Sequence, residues 1–239
     1  MTRKKWLYIL IILALLTPVL VIYFSFQGNP VAKVNSKFTA QRYLAKTYPE
    51  DEFYVGDPFY NFKVGGYEVA VERIGDKSAE DYYFTVVGIF GTKVHYDPIY
   101  YENLDEALIR ELEKSANEEI LEKLQAEIKE IQEVHANLEV LKGRYPEGAT
   151  WSRDLELEKP FYLWVAIDGQ DLKKEDVFKI AKDMQRILNE EGYNYDRVSI
   201  NSQVFHEGSR ILNYSIGFTK DKKIKQRHVS IDNKHLDIH

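Results

Sequence analysis

The sequence predicts an α+β protein with an N-terminal transmembrane helix, followed by two small helix-on-antiparallel-sheet domains joined by a long acidic helix. Three observations support this fold class: an uncharged apolar run near the start, aromatic strand-like segments in both halves, and a stretch between them without Gly or Pro. The chain has 239 residues. Since about 210 of them follow the apolar run, two small domains can each bury a core.

The first element is the apolar run Trp6–Phe26, "WLYILIILALLTPVLVIYFSF", which contains no charged residue. As a helix it would span roughly 31 Å, the thickness of a bilayer's hydrocarbon core. Bulky aromatics stand where a cleaved signal peptide needs small residues, so a retained anchor is favoured over a signal peptide or a buried core helix. We therefore expect residues 1–28 to form a cytoplasmic tip and a membrane anchor.

The orientation of this anchor follows from the basic residues around it. Arg3, Lys4 and Lys5 precede residues 6–26, which favours a cytoplasmic N-terminus, although basic residues also follow the span. The compact basic tip is typical of a signal anchor. We expect a single-pass protein of the cell membrane, with the larger part of the chain extracellular.

Residues 29–101 form the predicted N-terminal domain, one helix followed by three or four antiparallel strands. A Gly-Asn-Pro turn leads into the helix and Pro49 ends it. Its predicted apolar face carries Val34, Phe38, Ala45 and Tyr48. The strand-like runs are "FYNFKV", "GYEVAVERI", "DYYFTVVG" and "GTKVHYD", and Gly65-Gly66 is placed as a hairpin turn between the first two.

Residues 102–143 form the predicted long acidic connector helix. No Gly or Pro occurs from Asn103 to Lys142, and Gly143 is a plausible C-terminal stop. Leu104, Leu108, Leu112 and Ile120 fall on positions separated by multiples of four. A second series then alternates by three and four: Leu121, Leu124, Ile128, Ile131, His135 and Leu138. Two roles are open for this helix: its heptad-like series could form a seam with another chain, or the helix could lie across one or both sheets as a connector, and the connector is favoured.

Residues 150–239 form the predicted C-terminal domain, with the order strand, helix, strand, strand and a basic tail. The strand "FYLWVAIDG" precedes a helix that Asp171 is expected to cap and Gly192 to follow. The apolar face of that helix carries Val177, Ala181, Met184 and Leu188. The runs "DRVSINSQVF" and "RILNYSIGFTK" predict a hairpin around Glu207-Gly208.

Composition and motifs exclude several classes of function. The absence of cysteine excludes disulfides, thiol catalysis, lipobox lipidation and thiolate metal sites. A net charge of −6 gives nucleic-acid binding no electrostatic basis. Metallopeptidase, serine-nucleophile, Walker and dinucleotide-binding motifs are missing. We therefore expect a non-enzymatic protein without cofactors, and predict no catalytic, cofactor-binding or metal-binding residues.

Three features permit both a functional and a structural interpretation. His228, His235 and His239 could hold an adventitious metal, or belong to a solvated tail. The aromatics between residues 53 and 101 could form a binding strip or a small core, and both can hold for different faces. The basic segment Lys220–His228 could touch anionic lipid headgroups or wall polymers, or be the solvated end of a strand.

The chain resembles a known family in both halves. A basic tip, an apolar span ending "YFSFQGNP", the helix "AQRYLAKTYP" and the run "FYNFKVGGYEVAV" are similar to the YfjL-like membrane proteins of Gram-positive bacteria. The segments "VFKIAKDMQRILNEEGYNYDRVSINSQVF" and "LNYSIGFTKD" are similar to the C-terminal domain of that group. This uncharacterised family implies no catalytic residue. The element order of the first domain also resembles PepSY and cystatin-type units, which are associated with binding and inhibiting peptidases.

These observations favour a binding or regulatory module at the cell surface that contacts an envelope protein or peptide. The contact would use strand edges of the first domain or the acidic helix. The alternative is a structural envelope protein, a homodimer that self-associates through that helix. An enzyme that uses carboxylates and tyrosines without a recognisable motif is a third hypothesis.

Overall fold

The computed structural model of the chain describes residues 3–75, 81–146, 148–206 and 209–236. It divides into two compact units, Met1–Glu102 and Asn103–His239. Each unit has its own helices, a five-stranded sheet and a separate hydrophobic core. The predicted α+β class is confirmed.

The first unit begins with two consecutive helices, α1 (Arg3–Gln27) and α2 (Pro30–Thr47). The side chains of α1 are exposed along its length, and its segment is long and apolar enough to cross a membrane. Between the helices, the Asn29 side chain accepts a hydrogen bond from the Val31 amide at 2.9 Å, while Pro30 occupies the first helical turn. Both are favourable residues for starting a new helix, so the chain breaks and restarts here.

The sheet of the first unit is antiparallel throughout. Its strands are β1 (Phe53–Val55), β2 (Phe59–Asn61), β3 (Gly66–Arg73), β4 (Tyr82–Val87) and β5 (Lys93–Tyr96), and a short helix α3 (Pro98–Glu102) follows. The order is β1-β3-β4-β5, and β2 also pairs with β3. The four predicted strands are found, and a hairpin joins the first two, but its turn comprises residues 62–65, so β2 ends earlier than predicted and Gly66 lies in β3. The three-residue β1 was missed, because so short a run shows no alternation.

The predicted apolar face of α2 is wrong. The buried residues are Ala32, Ser36, Thr39, Ala40 and Leu44, whereas Val34 and Phe38 are exposed. The reason is a close approach between α2 and the sheet, in which the Thr39 hydroxyl donates to the Gly91 carbonyl at 2.8 Å. Small residues permit this approach, so they take the buried face although larger apolar residues are present.

The predicted single helix over residues 102–143 is also wrong. The structure has α4 (Glu106–Gln125), then strand β6 (Ile131–Asn137), and Leu141 makes an isolated bridge with Leu104. Gly143 adopts a φ of 76° in a turn and does not end a helix. α4 packs on β6 within the second unit, so it is not a separate connector between domains.

A β-bulge explains why this strand resembled a helix. The register of β6 against its neighbour shifts between Ile131 and Glu133, so the buried side chains Ile131 and Val134 are three residues apart, as on a helix. From Val134 onward burial follows a period of two, through Ala136 and Leu138. No Gly or Pro marks the end of α4; instead, the Gln125 side-chain amide donates to the Ile131 carbonyl at 2.8 Å.

The rest of the second unit contains one more long helix and four strands: β7 (Phe161–Asp168), α5 (Lys174–Glu190), β8 (Tyr195–His206), β9 (Ser209–Thr219) and β10 (Ser230–Leu236). The sheet order is β10-β9-β8-β7-β6. β7 and β8 are parallel, so the predicted antiparallel sheet is wrong and the sheet is mixed. The cause is the crossover helix α5, which returns the chain to the end of the sheet from which β7 began.

The four predicted apolar residues of α5 are fully buried, and Gly192 adopts a φ of 81° after the helix. The predicted cap is wrong. The helix begins two residues later than expected, where the Asp176 carboxylate accepts a hydrogen bond from the Lys173 amide at 2.9 Å, so Asp171 does not cap it.

The strands β8 and β9 are confirmed as an antiparallel pair, and the predicted turn at Glu207-Gly208 lies outside the described residues. The segment Lys220–His228 is not merely a solvated strand end. Ile224 and Val229 are buried in the core of the second unit, and β10 then adds an edge strand beside β9.

Candidate binding groove

The sheet of the second unit has one helix-covered face and one helix-free face. α4 packs on β6 and α5 on β9, and both helices share one core with alternate strand residues such as Val165, Ile200 and Ile216. Successive side chains of a strand point to opposite faces. The residues between these core positions therefore form the helix-free face, and it is polar and aromatic.

Small residues form the floor of a groove on this face. Ser199 of β8 lies opposite Gly217 of β9, and Asn201 lies opposite Ser215, which in turn lies opposite Ser230 of β10. Because these side chains are short, they leave space above the sheet. Two adjoining cavities of about 310 and 240 Å³ occupy that space and share Gly217 and His228 in their lining.

An aromatic side chain stands beside this floor. Trp164 of β7 is the register partner of Ser199, and its ring centroid lies 5.3 Å from that of His135. With the Asn201 amide oxygen directed toward β7, this oxygen accepts a hydrogen bond from Trp164 Nε1 at 2.7 Å. The indole is thereby held with its polar atom satisfied, so its ring can offer apolar surface to a ligand.

The described side chains that bring charge to the groove are cationic. The larger cavity is lined by Arg197, Lys222, Lys223 and the imidazole of His228, and among the lining residues that the structure describes neither cavity has a carboxylate. His228 Nδ1 accepts a weak hydrogen bond from the Lys225 amide at 3.4 Å, which leaves Nε2 for other contacts. This arrangement suits an anionic or hydrogen-bonding ligand.

Hydrogen bonds to α5 and to the turn that precedes β8 hold the basic segment in place. The Gln185 side-chain amide donates to the carbonyls of Thr219 at 2.9 Å and Lys222 at 3.0 Å. Lys220 Nζ donates to the Tyr193 carbonyl at 2.9 Å, and the Gln226 amide donates to Glu175 at 2.7 Å. Lys222 and Lys223 therefore extend from a backbone that is fixed to the body of the unit.

A second polar cluster in this unit is structural. Glu119 of α4 accepts hydrogen bonds from Trp151 Nε1 and from the Tyr193 hydroxyl, each at 2.9 Å, and pairs with Arg153 Nε at 2.7 Å. Burial and the carboxylate of Glu119 raise the pKa of Tyr193. Because these groups satisfy one another, the cluster ties the segment after residue 143 to α4.

In the first unit, a buried carboxylate joins α2 to α3. Both Tyr43 and Tyr48 donate their hydroxyls to Asp97 Oδ2 at 2.8 Å, and the Tyr100 amide donates to Asp97 Oδ1 at 3.0 Å. Burial, together with this carboxylate, raises the pKa of Tyr43 to about 12. The network fixes the helices on the sheet and opens to no described cavity.

The structure describes the position of two of the three histidines considered from the sequence. His228 lines the groove, His235 lies in β10, and His239 is outside the described residues. Within the ranges that the structure describes, no three His, Cys, Asp or Glu side chains are grouped to hold a metal ion. The aromatics of residues 53–101 divide as expected between a core, with Phe84 buried, and a surface, with Phe90 exposed.

Sequence reasoning did not find the groove. Trp164 and Arg197 lie on strands, where polar and aromatic outward residues are also typical of an ordinary solvated sheet face. The one signal was the basic segment Lys220–His228, whose position beside the small-residue floor depends on how β9 and β10 pair.

Comparisons with known proteins agree with the resemblance found in the sequence. Residues 3–98 match the YfjL-like, N-terminal domain, and residues 115–231 match the YfjL-like C-terminal domain. The uncharacterized protein YfjL of Bacillus subtilis (strain 168) is 25% identical over 228 residues, which cover 93% of this chain and 96% of that protein. No solved structure matches the chain significantly. With matches in both of its units, the chain belongs to the YfjL-like family.

Proposed function

We propose that the chain is a membrane-anchored, non-enzymatic binding module that takes an extended acidic peptide segment of an envelope protein in the groove of its second unit. α1 would be the anchor, with its basic tip in the cytoplasm, and the rest of the first unit and the second unit outside. The observation that carries the proposal is a groove whose described lining residues include Arg197, Lys222 and Lys223 and no carboxylate.

The shape and chemistry of the groove support an extended peptide. Its floor runs across β8, β9 and β10, where short side chains let a peptide approach the sheet, and the hydroxyls of Ser199, Ser215 and Ser230 can exchange hydrogen bonds with it. The two cavities have the size of a small-ligand site. Cations along one side would select carboxylate side chains over neutral ones.

The burial of α4 weakens the alternative of a structural dimer. Leu112, Ile120 and Leu124 belong to the apolar repeat of the predicted long helix, for which pairing with another chain was one of two open roles, and all three are buried in the core of the second unit. Self-association through that seam would require α4 to leave β6. A peptide-binding role makes no such demand.

Fluorescence anisotropy with a defined probe tests the proposal. The full chain in detergent micelles is titrated into a fluorescein-labelled decapeptide of alternating Glu and Ser, and separately into the same peptide with Gln in place of Glu. We expect binding of the Glu peptide only, and a loss of at least about tenfold in affinity, roughly 1.4 kcal/mol, for the variant Arg197→Gln, Lys222→Gln, Lys223→Gln.

A matched control removes the same charge from another surface. Lys174→Gln, Lys179→Gln, Lys182→Gln lies on α5, away from the lining of both groove cavities. This variant should bind the Glu peptide like the parent chain. Equal losses in both triple variants, or equal binding of the Gln peptide, would show that the groove does not select acidic segments.

A further inference from the structure

Two β-turns of the first unit lie together beside the end of α1. The turn of residues 62–65 joins β2 to β3, and the turn of residues 88–92 joins β4 to β5. They lie at the same end of the sheet because Gly66, which follows the first turn, is packed against Val86 and Val87, which precede the second. We call this end of the sheet, with both turns, the junction end.

Close contacts join the junction end to the break between α1 and α2. The rings of Phe26, near the end of α1, and Phe62 have centroids 6.2 Å apart. The Tyr67 hydroxyl donates to the Asn29 carbonyl at 2.7 Å, and Gly91 is packed against Ala32 and Ser36 of α2. Both turns are therefore fixed next to the point where α1 ends.

Large apolar side chains at the tips of these turns are unusually exposed. The exposed fraction is 58% for Phe62 and 50% for Val64 in the first turn, and 81% for Ile89 and 57% for Phe90 in the second. Single exposed apolar residues are ordinary, but four on two adjacent turns form a patch that marks an interaction surface.

The segments that form the junction end carry charge of one sign, while the Asp57 carboxylate, between β1 and β2, lies close enough to Lys33 to interact with it. Lys63 lies in the first turn, Lys93 directly follows the second, and Lys33 lies in the first turns of α2, and all three are exposed. Neither residues 62–65, nor 88–93, nor 28–34 include an acidic residue. Aromatic and aliphatic tips bordered by lysines are typical of segments that enter the interface of an anionic membrane.

We propose that the junction end rests on the membrane, with Phe62, Val64, Ile89 and Phe90 inserted among the lipid headgroups and the three lysines facing anionic ones. The occupant is lipid and not a protein partner, because the patch is continuous with the exposed apolar surface of α1 through the Phe26–Phe62 contact. This inference rests on the membrane anchor of the proposed function, but not on its groove.

Site-specific fluorescence on the full chain tests this contact, and the absence of native cysteine makes single labelling clean. The variants Ile89→Cys, Ile74→Cys and Leu15→Cys are each labelled with a nitrobenzoxadiazole dye and reconstituted into vesicles of phosphatidylcholine and phosphatidylglycerol. A doxyl quencher is carried on the lipid chain close to the headgroup.

Ile74 is the matched control. It is 57% exposed and follows β3 at the opposite end of the same sheet. Eight residues at about 3.3 Å each place it roughly 26 Å from the junction end. Leu15 lies midway along α1 and reports whether the anchor is inserted.

We expect the label at position 89 to be quenched at least twofold more than the label at 74, with a blue-shifted emission, while the label at 15 is protected from aqueous iodide. If the label at position 15 is protected but the label at 89 is quenched no more than the label at 74, α1 is inserted as proposed and the membrane contact of the turns is refuted. If 15 is open to iodide, the anchor fails and the inference fails with it.

Discussion

Replacing Gly217 by valine should stabilise the second unit and at the same time block its groove. Gly217 lies on the floor of both cavities, and a Cβ added to it would meet the Val198 carbonyl at 3.5 Å and Ser199 Oγ at 3.9 Å, which are ordinary contacts. Its backbone is extended and not left-handed, so valine needs no strain. The new side chain would project into the space that the ligand is proposed to fill.

Gly217→Val is expected to raise the stability of the second unit and to lower its affinity for the peptide. Glycine within a strand costs about 0.5–1 kcal/mol relative to alanine, and a β-branched residue suits a strand at least as well. We therefore expect a gain of about 1 kcal/mol, which for a unit of this size raises the melting temperature by about 3 °C. Because the valine side chain occupies the floor shared by both cavities, peptide affinity should fall at least about tenfold, or roughly 1.4 kcal/mol.

The assay combines thermal unfolding, followed by circular dichroism, with anisotropy on the Glu-Ser peptide, using the full chain in micelles. Gly66→Val is the contrasting variant, because its Cβ would lie 2.9 Å from the Val86 carbonyl in the first unit. It should cost about 1–3 kcal/mol from overpacking and leave peptide binding unchanged. Parent-like affinity of Gly217→Val would refute the groove as the binding site, and a lower melting temperature would refute the steric argument.

Two further predictions concern buried tyrosines. Burial, and then the charge of Asp221, raise the pKa of Tyr195 to about 12, so this group contributes about 3 kcal/mol of stability below pH 10, which is lost as pH rises to 12. Between pH 9 and pH 11.5, the free energy of unfolding measured in urea should therefore fall less for Tyr195→Phe than for the parent chain. Equal falls in both proteins would contradict this. Asp97→Asn should cost about 2–4 kcal/mol, as two charge-assisted hydrogen bonds become neutral, and should lower the pKa of Tyr43. If the pKa of Tyr43 measured by NMR were the same in Asp97→Asn as in the parent chain, Asp97 would not be a cause of its elevation.

The elements predicted correctly are those whose local pattern coincides with their burial. In α5, Val177, Ala181, Met184 and Leu188 recur at helical spacing and are all buried, and Gly192 ends the pattern. α1 was predictable because its length and lack of charge depend on no tertiary partner. In β3, alternation between Tyr67 and Val71 matched a sheet with one buried face.

The failures occur where tertiary contacts decide the structure. The bulge after Ile131 gave a strand the spacing of a helix, and only pairing with β7 reveals it. On α2, the small residues Ala32 and Ser36 are buried because a turn of the sheet approaches the helix closely. The larger Val34 and Phe38 are therefore exposed. The groove depends on the lateral order of β8, β9 and β10, which no local pattern specifies.

With α1 anchored as proposed, its join to the rest of the first unit would determine how that unit meets partners in the same membrane. At Gly28 the backbone has a φ of 75°, and a Cβ there would meet the Tyr67 hydroxyl at 2.5 Å and the Tyr60 ring at 2.7 Å, so the join is packed and not a loose tether. A flexible linker would let the unit adopt many orientations. Only some of them would allow contact with a neighbouring protein, so the effective concentration of the unit at that protein would be lower. A packed join restricts the rotation of the unit already when the chain folds. With α1 anchored as proposed, a partner in the same bilayer would therefore encounter the unit already oriented, and binding would not have to restrict that rotation again.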